Sequence, residues 1–273
     1  MHTIKVIAEI GINHNGSIEI AKKLIDLAKL AGCDYVKFQK RDPELAVPKN
    51  KKNQLVKTPW GKIKYIEYKK KIEFSLNDYI ELDQYCKNKK IKWFASVWDL
   101  NSALELKKIC KLTKIPSAKL TDKKLCKYVN ENYNKKILST GMSNQAQINS
   151  AIKILKPNII MHTISTYPAK VSELNLNYIQ YLKTKYKNVE VGYSGHEFGL
   201  STTFAAIGLG ASWIERHITL DRHMWGSDQL SSLEPVGLFQ LMSGIRAIEK
   251  SLGSIRPRKI TDSEKLKIKS LRG

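Results

Sequence analysis

The stretch VEVGYSGHEFGLSTTFAAIGLGASWIERHIT, residues 189–219, has the pattern of one complete strand, helix, strand unit. Val189–Ser194 and Ser212–Thr219 are short runs of apolar and β-branched residues, which predict buried strands. Between them, Leu200–Gly210 has the length and the apolar spacing of a helix. A helix between two strands favours a parallel sheet, because parallel neighbours need a crossover connection.

The same alternation runs through the chain of 273 residues. The strand candidates are Ile4–Ile10, Tyr35–Gln39, Ile91–Ser96, Leu112–Ile115, Lys136–Thr140, Asn158–Thr163, Val189–Ser194 and Ser212–Thr219. The helix candidates are Ile18–Ala31, Leu76–Asn88, Ser102–Cys110, Asp122–Asn130, Gln145–Leu155, Glu173–Tyr186, Leu200–Gly210 and Pro235–Leu252. Eight such units predict a single-domain α/β protein, a closed (β/α)₈ TIM barrel. A doubly wound open sheet is the alternative, but it usually has fewer units and an early glycine-rich turn.

Two segments depart from the regular spacing. The barrel is expected over residues 1–253, with a long basic loop at 40–74 that contains Pro43, Pro48 and Pro59. Loops of that length are usually functional lids or disordered. Because it follows the second strand, it should lie on the face where barrel active sites form. Residues 254–273 are basic and mostly polar, and we interpret them as a C-terminal extension.

The composition excludes several classes of protein. The net charge is +22, but only seven of the 47 basic residues are Arg. Nucleic-acid readers rely on Arg geometry, so the Lys excess indicates a solvated surface and no nucleic-acid partner, although its field would attract a multiply charged anion. Four cysteines without a CxxC pair are expected to be packing residues rather than a disulfide or zinc framework.

The sequence also indicates where the protein acts. The N-terminus enters a strand without the pattern of a secretory signal, and no window approaches about 18 consecutive apolar residues. We therefore expect a soluble, cytoplasmic protein with no membrane partner.

Polar residues stand at the carboxyl ends of the predicted strands, where this fold carries its chemistry. Glu9 closes the first strand. In the second, side chains alternate, so Val36 and Phe38 can face the helices while Lys37 and Gln39 face the barrel interior. A buried Lys is costly unless an anion meets it. The alternative is a lysine at a fraying strand end that reaches solvent.

The fourth and fifth strands offer further anion-binding groups. Lys114 is followed by Ser117, and Ser139-Thr140-Gly141-Met142 places small hydroxyls before a glycine and a helix. Hydroxyls and backbone N–H groups of this kind suit phosphate oxygens, although the same residues also occur in ordinary turns and caps.

The seventh and eighth strands end in His196 and His217. These residues are 21 positions apart, but neighbouring strands lie about 4.8 Å apart, so both imidazoles could reach one ion. Glu215 shares the parity of His217 and should also face inward. Two imidazoles with a carboxylate and water fit a divalent ion such as Mn²⁺ or Mg²⁺. Two structural histidines are the alternative. Asp228, in the last loop, could hold a metal-bound water or cap a helix.

These motifs together resemble the N-acetylneuraminate (sialic acid) synthases and their legionaminic and pseudaminic acid relatives. The matches are Ile7-Ala-Glu-Ile-Gly-Ile-Asn-His-Asn-Gly16, Val36-Lys-Phe-Gln39, Ile137-Leu-Ser-Thr-Gly-Met142, Tyr167-Pro168, Gly192-Tyr-Ser-Gly-His196, Glu215-Arg-His217 and Gly226-Ser-Asp228. The resemblance implies condensation of phosphoenolpyruvate with an open-chain N-acyl hexosamine, which yields a nonulosonic acid and phosphate.

The resemblance also implies roles for individual residues. His196 and His217 would bind a divalent metal, Mn²⁺ first, with Mg²⁺ and Co²⁺ as alternatives. The expected sets are Glu9, Lys37, Lys114 and Glu215 for catalysis; Lys37, Gln39, Lys114, Ser117, Ser139 and Ser194 for phosphoenolpyruvate; and Tyr167, Ser165 and Asp228 for the amino-sugar aldehyde.

Some positions depart from the family pattern. Pro116 stiffens the backbone before Ser117, Gly195 stands where Asp is frequent, and Ser165 replaces an Asn. After the third strand, Ser96-Val97-Trp98 is expected to lack a phosphate-side hydroxyl. The resemblance implies a homodimer and covers the barrel domain, without the C-terminal antifreeze-like domain that contacts the sugar in relatives.

Three rival interpretations stay open. A synthase for another aldehyde, of the 3-deoxy-ulosonate type, would keep the barrel. A Schiff-base aldolase would use Lys114 or Lys37 as its amine. A degenerate, non-catalytic barrel could act as a partner protein.

Overall fold

The computed structural model describes residues 4–272, which form ten strands and eleven α-helices. The strands are β1 Lys5–Gly11, β2 Tyr35–Lys40, β3 Leu55–Thr58, β4 Gly61–Lys64, β5 Lys92–Val97, β6 Leu112–Ile115, β7 Lys135–Ser139, β8 Ile159–Thr163, β9 Glu190–Gly195 and β10 Trp213–His217. The helices are α1 Ile18–Ala31, α2 Pro43–Ala46, α3 Tyr65–Ile72, α4 Leu76–Lys89, α5 Leu100–Leu106, α6 Lys123–Asn132, α7 Gln145–Leu155, α8 Tyr178–Lys185, α9 Ser201–Gly208, α10 Pro235–Ser251 and α11 Asp262–Leu271.

Eight of these strands close into a parallel barrel. Their order around it is β1, β10, β9, β8, β7, β6, β5, β2, so that β1 pairs with both β10 and β2. The (β/α)₈ prediction is confirmed, and the bounds of the predicted strands differ from the observed ones by at most two residues. Pairing of β9 with β10 and of β10 with β1 brings the last two strand ends beside the first.

The helix predictions hold with two notable shifts. The bounds of α1 and α7 are those expected from the sequence. Helix α5 begins at Leu100 because the Asp99 carboxylate accepts the backbone N–H of Ser102 and caps the first turn. Helix α8 begins only at Tyr178, since Asn175 has a left-handed backbone (φ 45°) that interrupts the predicted helix.

Side-chain alternation divides the barrel residues as predicted. Val36 and Phe38 are fully buried on the helix-facing side of β2, and Phe38 lies edge-on to Tyr79 and Trp93. The opposite side of the same strand carries Lys37 into the barrel interior. One continuous apolar core between strands and helices therefore supports a polar interior at the carboxyl ends.

The segment 40–74 is not the irregular loop that its length and prolines predict. It contains α2, the antiparallel hairpin β3–β4 and α3. Tyr68 and Ile72, one helical turn apart, bury one face of α3 against Ile12. The Tyr68 ring also lies 4.8 Å, centroid to centroid, from the ring of Trp225 in the last loop. The segment is thus a folded insertion that packs beside the barrel mouth.

The remaining features follow the composition. Within the predicted extension at 254–273, α11 is capped by the Thr261 side chain and is largely exposed. All four cysteines are buried and free. Between residues 4 and 272, we find no helix long and apolar enough to cross a membrane.

Candidate active site

The carboxyl ends of the barrel strands surround a cavity of about 130 Å³. Nearly all the site residues predicted from the sequence line it: Glu9, Lys37, Gln39, Lys114, Ser117, Ser139, Ser165, Tyr167, Ser194, His196, Glu215 and His217. The exception is Asp228, which lines an adjoining cavity together with Gln39 and Tyr167. Residues from seven different strands or strand ends therefore meet at one mouth.

Two lysines and two glutamates form a buried charge cluster at the base of the cavity. The Lys37 ammonium lies 2.9 Å from Oε1 of Glu9 and 3.5 Å from Oε1 of Glu215. The Lys114 ammonium donates to both Glu215 oxygens, at 2.8 and 2.9 Å. Each of the four residues is at most 3% exposed. Their charges balance, which is the condition for keeping such groups inside a barrel.

The cluster perturbs the pKa values of its members. Burial works to lower the pKa of Lys37, but Glu215 and Glu9 outweigh it and raise that pKa. Burial, together with the neighbouring Lys37, lowers the pKa of Lys114. Burial opposes ionisation of Glu215, yet the two lysines bring its pKa to about 2. At neutral pH Glu215 is therefore an anion that holds both ammonium groups in place.

Two serine hydroxyls contact this cluster, and one of them was not predicted from the sequence. Ser96 was not predicted as a site residue, yet its hydroxyl lies 2.9 Å from Nζ of Lys37. The signal available in the sequence was its position as the last residue of the predicted strand Ile91–Ser96. Ser194 donates to Glu215 at 3.1 Å. The Thr140 hydroxyl donates to the carbonyl of Met161, a contact that fits the ordinary turn role left open for this residue.

Gly141 permits two predicted hydroxyls to approach each other. A Cβ atom at this position would lie 2.2 Å from Oγ of Ser165 and 2.8 Å from Oγ of Ser117. Any other residue would push these hydroxyls away from the mouth. The glycine after Ser139-Thr140 thus has a steric function, and the helix that follows starts only at Gln145, capped by Asn144.

The two predicted histidines lie together on the side of the cavity opposite β6. Their ring centroids are 5.5 Å apart, and the Tyr167 ring lies 4.1 Å from that of His196 and 5.7 Å from that of His217. Nδ1 of His196 is 2.7 Å from the carbonyl oxygen of Ile164, so this nitrogen carries the proton and Nε2 has a free lone pair. Burial, followed by the effect of His217, lowers the pKa of His196 to about 3, which keeps its ring neutral.

His217 has an unsatisfied polar atom. Its Nδ1 is buried without a hydrogen-bond partner, and the nearest carboxylate oxygen, Oδ2 of Asp228, is 3.8 Å away. The part of the chain that the structure describes has no group of three or more His, Cys, Asp or Glu suited to a metal ion. Both oxygens of Glu215, the carboxylate expected beside the histidines, accept from Lys114, and its part in metal binding stays a prediction. The two imidazoles fit a divalent ion that completes its shell with water or substrate oxygens.

A second buried ion pair supports the backbone around both histidines. Arg216, between Glu215 and His217, donates to the carbonyl of Glu197 at 2.6 Å and to that of Gly199 at 2.9 Å. The Glu197 carboxylate follows His196, lies 3.5 Å from the guanidinium, and accepts the hydroxyl of Tyr193 at 2.8 Å. This network was not predicted, although Glu197 and Arg216 directly adjoin the two histidines in the sequence. It ties the loop after β9 to β10.

Comparisons with known proteins agree with this arrangement. The model of the NeuB family matches residues 24–257. The N,N'-diacetyllegionaminic acid synthase of Campylobacter jejuni is 37% identical over 91% of this chain and 77% of its own length. The human N-acetylneuraminate-9-phosphate synthase is 34% identical over 93% of this chain and 72% of its own length.

Solved structures show the same relationship. The N-acetylneuraminic acid synthetase of Leptospira borgpetersenii, solved with citrate, superimposes with a TM-score of 0.87 and 31% identity over 99% of this chain and 93% of that one. A truncated 3-deoxy-D-arabino-heptulosonate 7-phosphate synthase from Thermotoga maritima shares the fold alone, at 12% identity and a TM-score of 0.69. Fold and site define a (β/α)₈ barrel with a buried lysine–glutamate cluster beside paired histidines. The chain belongs to the NeuB family.

Proposed function

We propose that this chain is a phosphoenolpyruvate-dependent synthase that condenses phosphoenolpyruvate with an N-acyl hexosamine aldehyde to give a nonulosonic acid and phosphate. The observation that carries the proposal is the pair of buried ammonium groups, Lys37 and Lys114, held at one cavity by Glu9 and Glu215. A barrel interior has no structural need for two buried lysines, whereas a phosphate-bearing carboxylate requires them. The named relatives make sialic-type acids, which agrees with this chemistry.

The residues divide the reaction between two sides of the cavity. Lys37 and Lys114, with the hydroxyls of Ser117 and Ser139, hold phosphoenolpyruvate by its phosphate and carboxylate. C3 of the enol phosphate then forms a bond to the aldehyde carbon, and a water adds at C2. Phosphate leaves from C2 with its bonding electrons, and the 2-keto group forms. The lysines offset the charge of the departing phosphate.

Glu9 is suited to proton transfer in this scheme. Its Oε1 accepts from Gln39 at 2.8 Å and pairs with Lys37, whereas its Oε2 is buried without a hydrogen-bond partner. We assign to Oε2 the proton released by the water that adds at C2. Ser194 acts indirectly, by fixing the orientation of the Glu215 carboxylate.

The sugar side would use the other half of the mouth. Tyr167 and Ser165 line the cavity next to the histidines, and Asp228, in the last loop, lines the adjoining cavity. His196 and His217 would hold a divalent ion, Mn²⁺ in the first instance, which when bound polarises the aldehyde oxygen. Burial keeps the imidazole of His196 neutral, and the carbonyl of Ile164 accepts from its Nδ1 and fixes the orientation of the ring. The dimer and the cytoplasmic location stay predictions.

The test is phosphate release from phosphoenolpyruvate with Mn²⁺, measured against a panel of N-acyl hexosamines and simple aldoses. The proposal predicts release that needs both substrates, favours an N-acyl hexosamine and stops with chelator. Preference for a short aldose phosphate would instead indicate a 3-deoxy-ulosonate synthase. Borohydride labelling of Lys114 or Lys37 in the presence of substrate would indicate a Schiff-base aldolase, and no phosphate release with any aldehyde would favour a non-catalytic barrel.

A further inference from the structure

A second cavity adjoins the first and lies between the barrel mouth and the folded insertion at 40–74. Its volume is about 260 Å³, and Gln39, Trp98 and Tyr167 line both cavities. On the far side it is bounded by the insertion, which contributes Arg41 and Lys69. A molecule that enters the mouth therefore extends directly into this space.

Arg41 and Lys69 are cations without carboxylate partners. Among the described residues neither side chain comes within 4.0 Å of a carboxylate oxygen. The Arg41 guanidinium lies 4.5 Å from the centre of the Trp98 ring and donates to Oε1 of Gln39, while its Nε is buried without a hydrogen-bond partner. A partly buried cation without an anionic partner costs free energy, because it has lost part of its hydration. An anion that binds in this cavity would offset that cost.

Two aromatic rings flank the Lys69 ammonium. It lies 4.6 Å from the centre of the Tyr68 ring and 5.2 Å from that of Tyr65. Burial and then Arg41 lower the pKa of Lys69 to about 8. A group in this state gains more from an incoming anion than an exposed lysine does, since the anion restores the solvation that burial removed.

The two acidic groups of this cavity do not neutralise these cations. Glu73 accepts the backbone N–H of Arg41 at 2.9 Å, and the nearest ammonium to it is that of Lys40, at 3.9 Å. Burial raises the pKa of Glu73 to about 7, so this carboxyl is largely uncharged in mildly acidic solution. Asp228 accepts the Ser227 hydroxyl and faces His217. On the insertion side the cavity thus presents two cations and the Glu73 carboxyl, which ion-pairs with neither of them and whose pKa is raised to about 7 by burial, while Asp228 lies in the last loop.

We propose that this second cavity binds a phosphate ester on the acceptor sugar, at the end of the sugar remote from its aldehyde. The inference rests on the proposed function, because the aldehyde must lie beside His196 and His217 for the remote end to reach Arg41 and Lys69. The relatives include synthases named for phosphorylated and for unphosphorylated products, so similarity alone does not decide the substrate. A sugar with hydroxyls alone would leave both cations uncompensated.

The test uses two probes that cannot react, because each lacks an aldehyde: N-acetylmannosaminitol 6-phosphate and N-acetylmannosaminitol. Binding of each is measured by calorimetry with phosphoenolpyruvate present, which keeps the phosphorylated probe away from Lys37 and Lys114. The phosphorylated probe should bind at least about tenfold more tightly than the other, as expected for charge-assisted hydrogen bonds. Arg41→Gln and Lys69→Gln should each remove most of that ratio and leave binding of the unphosphorylated probe within about twofold.

Lys62→Gln is the matched control, since Lys62 is exposed on the hairpin and lines neither cavity. This variant should keep the full ratio, and loss of the ratio there would show a general charge effect and overturn the assignment. Equal binding of the two probes to the unaltered protein would also overturn it. The proposed function is judged separately, by phosphate release with unphosphorylated and phosphorylated N-acyl hexosamines, and fails only if neither aldehyde supports turnover.

Discussion

Replacement of Lys114 by Met tests whether the buried cluster is balanced in charge. The cluster contains two ammonium groups and two carboxylates, and each residue is at most 3% exposed. Lys114→Met leaves Lys37 with both Glu9 and Glu215, a net charge of −1 in a buried site. Breaking a buried pair by removing one partner costs about 3–5 kcal/mol. For a chain of this size the melting temperature should fall by roughly 10 °C.

The double variant separates charge balance from simple loss of contacts. Glu215→Gln alone leaves a net charge of +1, while Lys114→Met with Glu215→Gln restores neutrality and keeps the Lys37–Glu9 pair at 2.9 Å. The loss in free energy of unfolding of the double variant should therefore be smaller than the sum of the losses of the two single variants, by at least about 2 kcal/mol. Urea denaturation, followed by the fluorescence of the five Trp residues, measures all three free energies.

An exposed pair provides the control for this cycle. Lys127 and Glu131 lie 4.0 Å apart on α6 with most of their side-chain surface in solvent. The same substitutions there should change stability by less than about 1 kcal/mol. If the losses of stability at Lys114 and Glu215 add to within about 0.5 kcal/mol, the two charges are not coupled and the cluster is not held together by charge balance.

Three further predictions concern residues around this cluster. Glu197→Gln should lower the free energy of unfolding by about 3–5 kcal/mol, because Arg216 would keep a buried charge without its partner. Urea denaturation measures this loss, and a value under about 1 kcal/mol would contradict the prediction. Burial raises the pKa of Glu73 from 4.5 to about 7, so its stabilising contribution is complete below pH 4.5 and is lost as the pH rises through 7. Glu73→Gln should therefore gain stability relative to the unaltered protein between pH 5 and pH 8, by up to roughly 3 kcal/mol in thermal melts, and parallel curves would exclude the shift. His217→Ala should abolish phosphate release and leave the far-ultraviolet circular dichroism unchanged; full turnover would remove the metal assignment.

Much of the fold could be predicted because the local pattern and the topology agree. The strands are short apolar runs, and α1 and α7 carry both capping residues and apolar periodicity. Strand parity alone placed Lys37 and Gln39 in the interior and Phe38 against the helices. The meeting of His196 and His217 followed from the parallel pairing of two consecutive strands, β9 and β10, whose carboxyl ends carry them.

Other features could not be predicted, because they depend on contacts across the barrel. The partner of Lys114 is Glu215, 101 positions later, and only the closed sheet brings their charges together. The insertion at 40–74 consists of elements of four to eight residues, too short for a periodic signal, and its prolines mask them. From the sequence, the lysines of this insertion were interpreted as solvated surface charge. In the structure, the packing of α3 places one of them, Lys69, at a cavity beside the active site.

The most direct measurement is a crystal structure of the protein with phosphoenolpyruvate and Mn²⁺, with anomalous scattering recorded to locate the manganese. We expect an anomalous peak bound by the imidazoles of His196 and His217, and a phosphate group in contact with the amines of Lys37 and Lys114. A peak elsewhere, or phosphoenolpyruvate bound away from both lysines, would contradict this expectation.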